Sequence, residues 1–219
     1  DERLKTLQLI KNNVTIMVSD YVGDISNFDD DKTKILNQGF LAYPRTPNNY
    51  DYEYITTPVI NENTSNINQL SDAQNYLYLI GYNQFSTKQE LINAVSQTNF
   101  DIVLMDLFFD KDNPFTKTEI ESLKIKANGA KRMVISYINI GAAENYRYYW
   151  KENWKLHRPR WLKKPYDGYE DEIWVKFWKK EWKDIIYSGE NSYIDKIIEA
   201  GFDGAYLDNI EAYYFLYYE

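Results

Sequence analysis

Three stretches of the chain share one grammar. Phe100-Asp-Ile-Val-Leu-Met-Asp106, Arg132-Met-Val-Ile-Ser-Tyr-Ile-Asn-Ile-Gly-Ala-Ala-Glu144 and Gly201-Phe-Asp-Gly-Ala-Tyr-Leu-Asp-Asn-Ile-Glu211 each run through apolar residues into a carboxylate. Short apolar runs bounded by turn residues read as strands buried on both faces. Strands of that kind belong to parallel sheets. Acids gathered at the ends of several parallel strands are how a (β/α) barrel builds a site. The grammar therefore points to an α/β fold and to three acids, Asp106, Glu144 and Asp208.

The rest of the chain alternates in the same sense. Strands are expected at 14–20, 39–44, 76–80, 100–107, 132–140, 173–178 and 205–208, which makes seven. Helices are expected at 4–12, 29–38, 86–97, 116–127 and 192–200, the third with Ser86 as N-cap and the fourth closed by Asn128-Gly129. Alternating strands and helices predict one parallel α/β domain over residues 1–219. Within it, residues 45–74 are polar, rich in Asn, Thr, Tyr and Pro, and without periodicity, so they read as an irregular connecting segment.

Composition narrows the chemistry. The formal charge of −8 argues against nucleic acid as a partner. No apolar run is long enough to span a membrane, and no leader opens the sequence, as expected of a secreted protein read without its signal peptide. With no cysteine and one histidine, His157, thiolate and multi-histidine metal centres are excluded, and neither a metal nor a cofactor is expected. His157 itself reads as a solvated loop residue. The 21 tyrosines, 10 phenylalanines and six tryptophans exceed what an aliphatic core needs. Rings with a flat apolar face and a polar edge suit sugar stacking, although a tyrosine-rich base composition explains the total equally well. Asn13 and Asn63 stand in Asn-X-Ser/Thr sequences.

Ser136-Tyr-Ile-Asn-Ile-Gly-Ala-Ala-Glu-Asn-Tyr-Arg-Tyr-Tyr-Trp150 and Gly201-Phe-Asp-Gly-Ala-Tyr-Leu-Asp-Asn209 resemble two strand motifs of a known family. This is glycoside hydrolase family 114, the endo-α-1,4-polygalactosaminidases, with related extracellular barrel proteins formerly mistaken for cysteinyl-tRNA synthetases. The Trp161 and Val175-Lys-Phe-Trp178 region and residues 75–109 are similar to further strands, so the resemblance covers about two thirds of the chain. It implies a (β/α)8-type TIM barrel. Residues 14–44 resemble the strands that close such a barrel, which implies a circularly permuted barrel or one lacking a strand. One departure stands out: Ala142 occupies a position where many relatives carry Glu.

The resemblance implies hydrolysis of an amino-sugar polysaccharide. Two carboxyls would face each other across the glycosidic bond, one protonated and one ionised. Glu144, Asp208 and Asp106 are the expected catalytic acids. Tyr137, Tyr146, Arg147, Trp178, Tyr206 and Asn209 are the expected substrate contacts, with Arg147 also placed to orient Glu144. The implied partner is a polysaccharide or oligosaccharide, possibly galactosamine-containing, met in a secreted or cell-surface setting. The alternative is a non-catalytic carbohydrate-binding protein on a degenerate barrel. For each acid taken singly, a helix cap or a surface ion pair competes with these roles.

Overall fold

A computed structural model of the chain describes residues 2–217. They fall into two compact units. One runs up to Asp106 and includes Thr118–Ile135; the other comprises Leu107–Lys117 and the residues from Ser136 on.

The first unit opens with α1 (Glu2–Gln8), β1 (Met17–Val18), α2 (Phe28–Leu36) and β2 (Leu41–Ala42). The two strands are far shorter than the sequence predicts. They pair in parallel over Met17↔Leu41 and Val18↔Ala42. Ile16, Ile35, Phe40 and Ala42 form a small core under them, joined by Leu4 and Leu7. Residues 45–74 contain two single 3-10 turns, Pro47–Asn49 and Leu70–Asp72, and no longer element.

The main sheet of this unit starts with β3 (Tyr76–Leu79). It continues through α3 (Lys88–Ser96), β4 (Ile102–Asp106), α4 (Lys117–Leu123) and the first residues of β5 (Met133–Asn139). β3 and β4 pair in parallel, with Tyr76 beside Ile102 and Leu79 beside Met105, and β5 lies next to β4. Every residue of β3 and β4 is buried, as expected of strands covered on both faces. The N-cap of α3 is Thr87 rather than Ser86. The Thr87 hydroxyl accepts from the Glu90 N–H at 3.1 Å, while the Glu90 side chain reaches back to the Ser86 N–H at 2.9 Å.

α4 stops at Leu123, four residues before the expected end. Beyond it the chain turns back on itself, with the Lys126 N–H donating to the Ala130 carbonyl and Ile125 bridging Lys131. Lys126 and Asp101, both with fully buried side chains, form an ion pair of 2.5 Å. The same ammonium donates to the carbonyls of Asn63 (3.1 Å) and Ser65 (2.9 Å). The other Asp101 oxygen accepts from the Asn63 amide (2.6 Å) and the Gln74 N–H (2.7 Å). The cluster ties the irregular segment to the sheet through buried, satisfied polar groups. It also withdraws Asn63 from the surface, where a glycosylation site would have to be.

The second unit holds the end of β5, then β6 (Ala142–Glu144), β7 (Leu162–Tyr166) and β8 (Tyr169–Val175). After these come α5 (Lys180–Lys183), α6 (Tyr193–Glu199), β9 (Gly204–Asp208) and α7 (Ala212–Tyr217). β9 lies beside β5. β6, β8 and β7 make a separate antiparallel sheet in that order, with Glu144 opposite Glu172. This sheet is the main departure from the sequence reading. Glu144 does not follow the end of a parallel strand; it closes a short antiparallel one. The strand expected at 173–178 starts four residues earlier and ends three earlier. The described strands form sheets of two, four and three, with no closed ring among the described residues.

Most of the tryptophan surplus goes into packing. Trp161, Trp174 and Trp182 are buried, and the rings of Trp150, Trp154, Trp161 and Trp182 follow one another at 5.0–5.6 Å. The Trp182 indole N–H donates to the Ile140 carbonyl at 2.9 Å, where β5 ends. Tyr166, Trp174 and Phe215 stack in a column with 4.2 and 4.8 Å between neighbouring rings, above Ala142 and Ala212. α6 is fixed by a capping box between Ser192 and Asp195.

Candidate functional site

The acids of the second unit are presented by three strands. Asp208 ends β9, as the grammar of its motif requires, and is half-buried. Its Oδ2 accepts the Tyr137 hydroxyl of β5 at 2.7 Å, and the Asn209 N–H also donates to it. Burial raises its carboxyl above the usual range; the Tyr137 and Asn209 bonds pull the other way, and Glu211 and Glu144 add to the rise. The Tyr137 phenol is driven upward by burial and by Glu144 and Asp208, so it stays a hydrogen-bond donor.

Glu144 lies deeper, at 2% exposure. Arg147 holds it in a fork, with Nε donating to Oε2 at 2.7 Å and an Nη donating to Oε1 at 2.9 Å. The Tyr146 hydroxyl donates to Oε1 at 2.5 Å. The Glu144 N–H donates to the Tyr149 hydroxyl at 3.1 Å. Of the two roles the sequence suggests for Arg147, the structure shows its bond to Glu144. Bidentate pairing of this kind is among the stronger and more directional side-chain contacts.

The residue that sequence reasoning missed is Glu172. Antiparallel pairing sets it opposite Glu144, so both side chains leave the sheet on one face. Asn139 of β5 donates to Glu172 Oε2 at 3.0 Å. The Glu172 carboxyl is half-buried and pushed up to about 8, by burial first, then by Glu144 and Asp208, against the Asn139 bond and the Arg147 charge. Its signal was present in Glu170-Asp-Glu-Ile-Trp-Val175, an acid ahead of an apolar run. The grammar points to acids at strand exits, whereas β8 carries this one at its middle.

The remaining predicted residues divide. Tyr206, 38% exposed, stacks on Tyr137 at 6.1 Å, and Tyr146, 46% exposed, stands over Arg147. Trp178, 37% exposed, packs against Phe177 and Tyr217. These three rings present aromatic surface. Asn209 is buried instead, with a positive φ of 60°, and its Oδ1 accepts from Tyr166 at 3.1 Å. Its place depends on Gly141: a Cβ there would meet the Asn209 carbonyl oxygen at 2.2 Å. Asp106 belongs to the first unit. It ends β4, buried, and its carbonyl accepts the Tyr82 hydroxyl at 2.8 Å. The convergence seen within one unit is thus Glu144, Glu172 and Asp208. A cavity of about 670 Å³ in the first unit is lined by Phe28, Lys32, Tyr43, Asn49 and Tyr54 among others, and by none of these acids.

Strand-borne carboxyls gathered beside exposed aromatic rings define a class: α/β proteins with a partly parallel sheet and a carboxyl cluster on one unit. Residues 60–216 match the family model described as glycoside-hydrolase family GH114. The chain belongs to glycoside hydrolase family 114, a family of (β/α)8 barrels. It is 34% identical to an uncharacterised protein of Methanocaldococcus jannaschii over 69% of this chain and 41% of that one. An uncharacterised Thermotoga maritima protein is 38% identical over 54% of this chain and 35% of its own length. One from Deinococcus radiodurans is 34% identical over 66% and 42%. The chain spans less than half the length of these relatives. No helix among the described residues is long and apolar enough to cross a membrane.

Proposed function

We propose that the chain is a glycoside hydrolase that cuts an amino-sugar polysaccharide, in the manner of an endo-α-1,4-polygalactosaminidase, outside the cell or at its surface. The observation that carries this reading is the gathering of Glu144, Glu172 and Asp208 in one unit, where their charges influence one another. Asp208 is the accessible carboxylate, held by Tyr137 and aligned to act as base or nucleophile. Glu144 is saturated by Arg147, Tyr146 and its burial, and acts by fixing the charge beside the site. Tyr206 and Tyr146 offer stacking faces, and an excess of carboxyl over guanidinium favours the ammonium groups of deacetylated galactosamine.

A second reading is favoured by two observations. Ala142 sits fully buried against Trp174 and Ala212, in a place with no room for an acid, and Glu144 is withdrawn into an ion pair. Both suit a sugar-binding protein without chemistry. Partially deacetylated α-1,4-galactosamine polymer separates the two. The hydrolase reading expects new reducing ends from the unaltered protein and a loss of about 10²–10⁴-fold in Asp208→Asn with binding retained. Binding with no new ends from the unaltered protein supports the module instead.

A further inference from the structure

We propose that Glu172 is the proton donor of this site, protonating the departing glycosidic oxygen while Asp208 works from the other side of the sugar. This rests on the hydrolase reading above and names a residue within it.

The argument starts from access. Glu144 and Glu172 are cross-strand neighbours, but the structure treats them in opposite ways. Both oxygens of Glu144 are occupied by Arg147, one also by Tyr146, and its side chain is 2% exposed. Glu172 is half-buried and takes a single hydrogen bond from Asn139 on Oε2. Oε1 remains to carry an acidic proton. Of the two glutamates on this face, Glu172 is the one a substrate can reach.

Charge then decides its protonation. The groups facing Glu172 are Glu144 on β6, Arg147 just beyond it, Asp208 on β9, Tyr137 and Asn139 on β5, Tyr166 on β7 and Tyr146. Glu172 thus faces two other carboxyls and one guanidinium, and that guanidinium is bonded to Glu144. Like charges so close disfavour full ionisation, and the carboxyl that keeps its proton is the one pushed up to about 8. A general acid works best with a pKa near the operating pH.

In the reaction, the Glu172 O–H gives its proton to the glycosidic oxygen, and the bonding pair between that oxygen and the anomeric carbon stays with the oxygen. In a single displacement a water oxygen bonds to the carbon and its proton passes to Asp208. In a double displacement Asp208 bonds to the carbon first, and Glu172 takes the proton of the water that releases it. Either course uses one water for each bond cut.

The test compares two leaving groups. Glu172→Gln preserves shape and the Asn139 contact, and circular dichroism confirms its fold. On the galactosamine polymer its rate is expected to fall by about 10²–10⁴-fold. On a 2,4-dinitrophenyl galactosaminide, whose leaving group needs no proton, it is expected to stay within about tenfold of the unaltered protein, while Asp208→Asn loses both. The ratio of unaltered to variant rates on the polymer should shrink as pH rises past about 8. Polymer cleavage that survives Glu172→Gln, or an equal loss on both substrates, overturns the donor role alone. No cleavage by the unaltered protein overturns the hydrolase reading and the donor role together.

Discussion

Two buried carboxyl clusters in this chain are built on opposite principles. Around Asp101 in the first unit, one carboxylate oxygen meets the Lys126 ammonium at 2.5 Å, and the other accepts from Asn63 and Gln74. Around Asp208 in the second, three acids gather while the nearby guanidinium, Arg147, is bonded to Glu144; the Glu172 carboxyl is raised by burial, Glu144 and Asp208, and the Asp208 carboxyl by burial, Glu211 and Glu144. The first cluster is closed: both Asp101 oxygens are bonded, and its charge is met by Lys126 and by the nearby Arg132, so it holds chain together. The second is left short of positive charge, and a protein retains such a deficit where protons are to be moved. Burial alone does not distinguish a structural acid from a functional one; the count of cations and donors does.

That contrast can be broken or sharpened by measurement. The largest effect is expected at the closed cluster. Lys126→Met leaves Asp101 buried without its cation, at a cost of about 3–5 kcal/mol, read as a lower urea midpoint. Adding Asp101→Asn should recover much of that loss, because the stranded charge is gone. If Lys126→Met unfolds no more easily than the unaltered protein, the cluster is not what secures residues 61–75.

At the open cluster the expected effect is smaller and depends on pH. The folded chain keeps the Glu172 proton up to about pH 8, whereas the unfolded chain releases it near 4.5. Between these values the folded state binds more protons, so this contribution to stability is complete at low pH and is lost as pH rises through about 8. Thermal melts of Glu172→Gln should therefore gain on the unaltered protein as pH rises across that window; parallel curves would mean that Glu172 titrates normally. The smallest effect concerns the cap of α3. Thr87→Ala should cost about 1 kcal/mol in chemical unfolding, and Ser86→Ala close to nothing.

Much of the parallel part was legible from residue order. β3, β4 and β5 lie where uninterrupted apolar runs predict them, because a strand buried on both faces has no other way to be written; β9 also lies where its run predicts it, but at the sheet edge with Tyr206 and Leu207 exposed rather than covered on both faces. The position of Asp208 is legible by the same logic. Those of β6 and β7 are not, since Ala-Ala-Glu and the run Leu-Lys-Lys-Pro-Tyr carry no such signature. Their pairing with β8 comes from packing: Trp174 stacks between Tyr166 and Phe215, and Ala142 leaves space for them. With β6 unseen, Glu172 could not be placed opposite Glu144. The short outcome for 14–20 and 39–44, two paired residues each, has a local cause as well, since only a small core stands behind them.

The sequence by itself determined the alternation of strands and helices, the family, and the acids that close β4 and β9, because these depend on local pattern and on motifs that are contiguous in the chain. Tertiary structure decided which acids share a site and in what state. That outcome depends on distances between residues remote in sequence: Arg147 neutralises Glu144, Lys126 neutralises Asp101, and Glu172 is left with an amide in place of a cation. Coulomb interaction falls with separation in space, and separation in space is what a linear pattern does not contain.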